Sequence, residues 1–372
     1  MTYLNKEFQL LAILLFLLLT LILNLNVSAA EKLIFAVTLT RHGERTAIYD
    51  IESAPYKWEI GKGELTALGM KQQNELGSEL RKRYVDKFKL LSAKYVNNEV
   101  YVRSTDYNRT IQSAESLLSG LYPLGLGPVL TDGTPALPGA YQPIPIRTLP
   151  VSMDTLLVAA YSTKKDKFNS MCKKYVYTTR EWEKTNNKYS NKFKIWSKIF
   201  GTDIQNIKDL ISVADNLSSR RSNGVSFPKG LTDDDARTII YLSNWIVAQL
   251  FKPKPIGNYI GSEFLFKLKD DMQKAIENKQ QFKYILYSGH DCSILPVMSA
   301  LGVPLELNPL YASHVDFELY SNDGVYYIRS FFNGKAIVLP GGKNGVCSFD
   351  RFVRIVENSK SLEVISNLLP YK

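Results

Sequence analysis

The pattern of apolar and polar positions in the first part of the chain predicts strands that alternate with helices. Residues 33–40 (LIFAVTLT) are nearly all apolar and rich in β-branched side chains, which is typical of a strand buried on both faces. Residues 66–88 repeat apolar side chains at helical spacing, and EVYVRST at 99–105 alternates as a strand does. Residues 108–121 then carry a second apolar helical face. This order predicts an α/β layer with parallel strands.

Further along, the pattern becomes helical and afterwards returns to strands. Residues 155–251 are rich in Lys, Asn, Ser and Tyr, and the periodic stretches there, such as DDDARTIIYLSNWIVAQLF, have helical spacing. A helix near 261–278 and the strand FKYILYS at 282–288 resume the α/β pattern. Residues 314–340 alternate as strands that are interrupted by Asn-Asp-Gly and Asn-Gly, which are strong hairpin turns.

The predicted fold class is therefore α/β, with a mostly parallel central sheet flanked by helices, an antiparallel edge and a helical cap insertion. We expect residues 31–150 and 256–372 to form the α/β core and residues 151–255 to form the cap. The chain has 372 residues, which is ample for a sizeable core in one or two domains.

The first 30 residues have the pattern of a secretory signal peptide. A short polar lead with Lys6 precedes the apolar run LLAILLFLLLTLIL, and the small residues of NVSAA follow. Cleavage near Ala29 or Ala30 fits the small-residue rule. An uncleaved anchor is the alternative, because the length of the apolar run approaches that of a membrane span. Both readings predict export, to a periplasm or to the medium.

The charge balance is basic, with a formal net charge of +10. Lysines are dense between Lys164 and Lys198, where they form either a solvated helix face or a surface that attracts anionic substrates or membranes. No nucleic-acid-binding motif accompanies this charge, so nucleic acid is not a predicted partner.

The chain has three cysteines, so at least one is unpaired. Cys172 and Cys347 are candidates for one disulfide, and Cys292 lies inside a motif with a histidine and an aspartate. So few cysteines do not form a disulfide scaffold, and the core must be held by packing.

Two of the three histidines directly follow predicted strands. His42 stands in TLTRHGERT after the first strand, and His290 stands in SGHD after FKYILYS. Because ligands of open parallel sheets bind beyond the carboxyl ends of the strands, we expect both histidines at one site. Arg41 and Arg45 disfavour protonation of His42, which leaves it a usable nucleophile. The two guanidiniums are also suited to binding a doubly charged anion.

A third predicted strand end adds Arg109 at the start of a helix, where the helix dipole also favours an anion. Asp291, next to His290, supplies an acid. Two histidines, three arginines and one acid suit phosphoryl transfer, in which positioning and charge stabilisation do most of the work.

Four other polar residues receive structural interpretations. Arg103 is expected to form a buried salt bridge that supports the site, and His314 is expected to be a hydrogen-bonded core residue. Asp106 is interpreted as a helix cap rather than an acid, and Glu44 as a group that positions a histidine or a water.

Three motifs, RHGER, RSTDYNRT and SGHD, occur in the order in which they occur in a known family. Together they resemble the histidine acid phosphatases, in the branch that contains prostatic and lysosomal acid phosphatase. The similarity extends through LTALGMKQQNELGSELRKRY, YQPIPIRTLP and YASHVDFELY, and it is weakest across the predicted insertion. Two positions depart from the family pattern: Thr46 and Ala47 follow Arg45 where a proline is common, and Cys292 follows His-Asp where threonine is common.

The resemblance implies a role for each matching residue. His42 would be the nucleophile that forms a phosphohistidine, and Asp291 would protonate the leaving alcohol. The phosphate-binding residues would be Arg41, Arg45, Arg109 and His290. The implied activity is that of an acid phosphatase of broad specificity, with no metal and no cofactor. The implied substrates are small phosphomonoesters, with phosphopeptides and lysophospholipids included, and the implied assembly is a homodimer that contacts through YQPIPIRTLP.

Other functional classes fit less well. A phosphomutase of the same superfamily would need phosphorylated metabolites that an exported protein does not meet. A non-catalytic phosphate binder could dispense with His42 or Asp291, and both are present. The chain has no H-E-x-x-H motif for a metallohydrolase and no G-x-S-x-G elbow for a serine hydrolase.

Overall fold

Three neighbouring parallel strands form the centre and one side of the sheet. They are the three strands whose ends carry the predicted site residues. The computed structural model describes residues 31–368, so the predicted signal peptide at 1–30 lies outside the described residues. Strand β1 spans Lys32–Arg41, β2 spans Val100–Ser104 and β3 spans Tyr284–Gly289. β3 pairs in parallel with β1 on one side and with β2 on the other.

The opposite side of the sheet is antiparallel. Strand β4 (His314–Asn322) pairs with β1, β5 (Val325–Phe332) pairs with β4, and β6 (Lys335–Ile337) and β7 (Val346–Ser348) both pair with β5. The strand order is β2-β3-β1-β4-β5-β6. The hairpins turn at Asp323-Gly324 and Asn333-Gly334, where all four residues have positive φ. The predicted α/β class, with parallel strands and an antiparallel edge, is confirmed.

Helices cover both faces of the sheet. Those of the described region are α1 (Ala67–Arg81), α2 (Asn108–Leu121), α3 (Lys165–Tyr175), α4 (Arg180–Phe200), α5 (Leu210–Ser222), α6 (Asp233–Phe251), α7 (Lys254–Ile276), α8 (Asp291–Ala300) and α9 (Phe349–Leu368). A π-helical turn at Lys82–Lys87 continues α1. None of these helices has the length and apolar character that crossing a membrane requires.

Each face of the sheet has its own hydrophobic core. On one face, α1 and α2 pack against the sheet through a cluster that includes Leu80, Tyr84 and Leu117. On the other face, α7, α8 and α9 bury a cluster that includes Phe264 and Phe352. The amphipathic spacing of α1 and α2 in the sequence is therefore the spacing of their sheet-facing positions.

Helices α3 to α6 share a third hydrophobic cluster, which contains large aromatic side chains such as Trp182, Trp196 and Phe200. The same cluster includes Ile256 of α7 and Cys292 of α8. The predicted insertion is thus helical and packs directly against the helices that lie on the sheet, while its boundaries at 151 and 255 stay a prediction.

The disulfide candidate does not form in the structure. Cys172 and Cys347 are both free and buried, and they lie in different hydrophobic clusters. Cys172 packs among the helices of the insertion, whereas Cys347 lies on β7 beside the sheet core. Their pairing would need two separately packed regions to meet.

The helix-cap interpretation of Asp106 is wrong. Asp106 is exposed, and the residue at the N-cap position of α2 is Tyr107, which makes no side-chain cap hydrogen bond. The Thr110 hydroxyl, one turn later, donates to the Tyr107 carbonyl oxygen instead, at 2.8 Å.

We predict that Gly77→Ala destabilises the fold, because α1 and α2 cross in close contact at this position. A Cβ on Gly77 would overlap the backbone of Leu117 and Leu121. The better helix propensity of alanine is worth about 1 kcal/mol, and overpacking a tight site costs about 1–3 kcal/mol, with the larger values expected against rigid backbone. Chemical denaturation should show a net loss of stability. Glu79→Ala, at an exposed position of the same helix, is the control; equal stability of both variants would contradict this packing argument.

Candidate active site

The carboxyl ends of β1, β2 and β3 meet beside a cavity of 640 Å³. All six residues predicted for the site line this cavity, namely Arg41, His42, Arg45, Arg109, His290 and Asp291. The structure therefore brings together the residues that the sequence places at three different strand ends.

The segment after β1 is held tightly in place. The His42 amide donates to the Gly289 carbonyl oxygen at 2.9 Å, which ties it to the end of β3. Gly43 packs on Gly69 at the start of α1, and a Cβ on either glycine would overlap the backbone of the opposite segment. The Thr66 amide donates to the Glu44 carbonyl oxygen at 3.0 Å. The glycine of the RHGER motif thus permits the close contact that fixes His42.

His42 is buried and neutral. Burial is the main reason that its pKa lies well below the usual value for histidine. The adjacent His290, which disfavours protonation of both rings together, and the charges of Arg41, Arg109 and Arg45 lower the pKa further. Its Nδ1 lies 2.8 Å from the Gly43 carbonyl oxygen, so in the neutral ring Nδ1 carries the proton and donates it. Nε2 therefore keeps its lone pair on the side of the ring that is available to the cavity.

His290 lies next to His42, with 5.3 Å between the ring centroids. Its Nε2 is 2.9 Å from the Thr105 hydroxyl at the end of β2, which fixes the orientation of the ring. Burial and the charges of Arg109 and Arg41 lower its pKa, although Asp291 opposes the shift. Both imidazoles are therefore uncharged in a site whose positive charge comes from the arginines.

The three arginines differ in their partners. Arg41 pairs with Asp291 at 2.9 Å, and Arg45 pairs with Asp215 at 2.8 Å. Arg109 lies over the ring of Tyr107 at 4.5 Å and has no carboxylate partner within the described residues. The site therefore carries net positive charge, which favours an anionic ligand.

Asp291 is the first residue of α8 and is ionised. Burial favours its neutral form, but the charge of Arg41 and a hydrogen bond from Asn308 outweigh burial and lower its pKa. The Asn308 side-chain amide donates at 3.1 Å, and the Cys292 backbone amide donates at 2.7 Å. An anion that shared Arg41 would raise this pKa again.

Sequence reasoning missed three polar neighbours of these groups, two of which come from the segment before β4. Tyr311 lies 5.6 Å from the His42 ring and beneath the Arg41 guanidinium at 4.5 Å, and Asn308 binds Asp291. Strand β4 runs antiparallel to β1, so it begins beside the end of β1. The residues that precede β4 therefore lie near the site, and the predicted antiparallel edge could have marked them as candidates.

The third missed residue, Asp215, has no local signal in the sequence. It belongs to α5, and its second carboxylate oxygen accepts from the backbone amides of Ile48 and Tyr49, at 2.7 and 3.3 Å. The same helix makes further bonds to this segment, from Asn216 to the Tyr49 carbonyl oxygen and from Ser219 to that of Arg45. Asn223, the C-cap residue of the helix, donates to the Glu44 carboxylate. Helix α5 thus anchors residues 44–49.

The remaining predicted residues lie outside the reacting groups. Arg103 binds the fully buried Asp154 at 2.6 Å, as expected of a supporting salt bridge. His314 is buried, with Nε2 at 3.4 Å from Asp316. Glu44 accepts from Thr66 and Asn223 rather than from a histidine, so it does not position either imidazole. The described residues contain no cluster of three or more side chains arranged to hold a metal ion.

Sequence comparison identifies relatives that extend over most of the chain. The profile of the histidine phosphatase superfamily (branch 2) matches residues 32–333. Prostatic acid phosphatase from Bos taurus is 30% identical over 340 residues, which cover 88% of this chain and 85% of that protein. Lysosomal acid phosphatase from Bos taurus is 30% identical over 364 residues, which cover 91% of this chain and 82% of that protein.

Solved structures show the same fold at lower sequence identity. A phytase from Klebsiella sp ASR1 superposes with a TM-score of 0.69 at 16% identity, and the match covers 92% of this chain and 100% of that one. The apo form of Hafnia alvei phytase superposes with a TM-score of 0.66 at 16% identity, covering 89% and 97%.

The matched region contains every residue of the predicted site, since it begins with β1 and extends through β5. The acid phosphatase relatives cover the described core and the helical insertion together, and they identify the chain as an enzyme of the acid phosphatase type. The chain therefore belongs to the histidine phosphatase superfamily, in the branch that contains the prostatic and lysosomal acid phosphatases.

Proposed function

We propose that the chain hydrolyses a broad range of phosphate monoesters through a phosphohistidine on His42, with Asp291 as the general acid. The observation that carries this proposal is the state of His42: its ring is neutral, its Nδ1 is bound to the Gly43 carbonyl oxygen, and the arginines surround it. Nε2 is then the nucleophilic atom, and the guanidiniums neutralise the phosphate that it attacks.

Each of the three arginines has a hydrogen-bond donor that is free to bind this anion. The Nε atoms of Arg41, Arg45 and Arg109 are buried and have no hydrogen-bond partner. Buried donors without partners are uncommon and concentrate at functional sites. A phosphate group at the centre of the cavity would provide acceptors for charge-assisted hydrogen bonds from this cluster.

In the first step, Nε2 of His42 attacks phosphorus, and the bond from phosphorus to the ester oxygen breaks. Asp291, protonated once phosphate lies beside it, transfers its proton to that oxygen, and the alcohol leaves. In the second step, Asp291 takes a proton from a water whose oxygen attacks the phosphohistidine. The bond between phosphorus and nitrogen breaks, its electron pair returns to Nε2, and phosphate is released.

Two further parts of the proposal concern location and assembly. The signal-like segment at 1–30 supports export to a periplasm or to the medium, and the relatives include a lysosomal protein by name. Assembly as a homodimer stays a prediction from the resemblance. N-terminal sequencing of the native protein should give a start near Ala30, whereas a retained Met1 in a membrane fraction would contradict cleavage.

His42→Ala should reduce turnover to background, because the imidazole itself receives the phosphoryl group. Wild type incubated with labelled substrate and quenched in base should contain an acid-labile phosphoenzyme that His42→Ala lacks. His314→Asn is the control, since His314 is the one remaining histidine of the chain and does not line the cavity. Sustained turnover by His42→Ala would refute the assignment of the nucleophile.

Asp291→Ala should impair hydrolysis of alkyl phosphates more than that of p-nitrophenyl phosphate. An alkoxide leaves poorly without a proton, whereas p-nitrophenolate leaves unaided, so the two losses should differ by about 10²-fold or more. Single-turnover rates of both proteins on both substrates measure this difference. Equal losses on the two substrates would mean that Asp291 positions phosphate or supports His290 and is not the proton donor.

Activity should persist on the acid side, at about pH 4–6, because the lowered pKa of His42 keeps its imidazole neutral there. Arg109→Met removes a charge that lowers the pKa of both histidines, so the acid limb of kcat/KM should move to higher pH. Lys62→Met is the matched control, because Lys62 lines the same cavity but pairs with Asp50. An acid limb that stays in place in Arg109→Met would show that this charge does not control the ionisation of His42.

A further inference from the structure

We infer that the preferred substrate is a small monophosphate ester whose leaving group is an extended apolar chain. This inference rests on the proposed function and specifies which phosphate monoesters the same site takes best. It follows from the part of the cavity wall that the reacting groups do not occupy.

The cavity is much larger than a phosphate group and has two kinds of wall. Its 640 Å³ falls within the range of pockets that enclose small organic ligands. The reacting groups come from the strand ends, whereas a second wall comes from the helices of the insertion. Ile211 of α5, with Ile240 and Val247 of α6, lines this second wall and presents partly exposed aliphatic surface.

Apolar side chains also stand where the cavity opens to solvent. Four large side chains that line it are exposed to solvent: Ile48 (39%), Tyr49 (50%), Tyr161 (59%) and Leu310 (73%). Single exposed apolar residues are ordinary, but four on the rim of one cavity form a patch of the kind that marks a binding groove. A hydrocarbon chain attached to a phosphate held by the arginines would cover part of this surface.

The charges outside the reacting groups do not suit a ligand with many phosphates. Among the described residues that line the cavity, Lys62 and Arg221 are the further basic side chains, and Lys62 is paired with Asp50. Asp215 places an additional negative charge in the wall. Several phosphates on one ring would need more cations than this wall offers, whereas one phosphate and an apolar group would match it.

The experiment is a series of straight-chain alkyl phosphates, from methyl to octyl, assayed for kcat/KM on the mature protein. From ethyl onward the alkoxides have nearly the same basicity, so chain length tests burial and not the chemistry of departure. Each added methylene should raise kcat/KM by about two- to fourfold until the apolar wall is covered, after which the values should level off. Inositol hexakisphosphate, in parallel assays, should be a poorer substrate than hexyl phosphate.

Two leucines of the same loop provide a matched pair of variants. Leu310→Ser removes an apolar side chain from the rim and should lower the ratio of the octyl to the methyl value by about two- to fivefold. Leu307 is also exposed but does not line the cavity, so Leu307→Ser should keep the wild-type ratio. Because both changes are at exposed positions, both variants are expected to fold.

The outcomes separate this inference from the proposed function. Turnover of methyl phosphate with no dependence on chain length would overturn the inference and leave the proposed function intact. Preference for inositol hexakisphosphate, or an unchanged ratio in Leu310→Ser, would overturn it too. Failure to hydrolyse every ester in the series would instead refute the proposed function.

Discussion

The parallel register between β1 and β3 is the constraint on which the site depends. Arg41 stands opposite Gly289 in this register, so the next residue of each strand, His42 and His290, leaves the sheet at the same level. The two imidazoles meet because the backbones are paired, without any direct bond between them. A slip by one residue would turn every side chain of β1 to the other face and separate the pair. The burial of β1 on both faces fits its central place in the sheet, between β3 and β4.

The site also buries several charged side chains close together. Arginines buried without partners would cost several kcal/mol each, and the structure offsets this cost with two carboxylates from distant parts of the chain. Asp291 serves Arg41 and Asp215 serves Arg45, whereas Arg109 relies on the ring of Tyr107. The arrangement leaves enough positive charge to attract an anion and enough pairing to keep the fold stable. Burial first, and this surplus of positive charge after it, lowers the pKa of both histidines and keeps them neutral.

The sequence predicted the features that arise from local pattern and from strand ends. The bounds predicted for the helices at Asn108–Leu121 and Asp233–Phe251 coincide with those in the structure, because apolar periodicity and flanking polar residues define both helices. The two hairpin turns followed from their Asn-Gly and Asp-Gly pairs. That the six candidate residues line one cavity followed from the rule that ligands bind beyond the carboxyl ends of parallel strands.

The sequence could not predict contacts between residues that are far apart in the chain and belong to no common local pattern. Asp215 reaches Arg45 from a helix about 170 positions later in the chain, and only the packing of that helix brings them together. Cys172 and Cys347 were the disulfide candidates because Cys292 lies in the motif with His290 and Asp291. The two hydrophobic clusters that bury Cys172 and Cys347 are separate. Asp106 is of a residue type that often caps helices, but the N-cap residue of α2 is Tyr107, which makes no side-chain cap hydrogen bond.

Because α5 anchors residues 44–49, the helical insertion helps to hold the candidate site in shape and is not a removable cover. Proteins open locally in units that are less stable than the whole, and helices that share their own hydrophobic cluster are suited to be such a unit. If the insertion loosens as a unit, Arg45 loses Asp215, and the segment that follows His42 loses its support. Heating or denaturant would then abolish catalysis in molecules whose sheet is still folded, so loss of activity would precede loss of the fold.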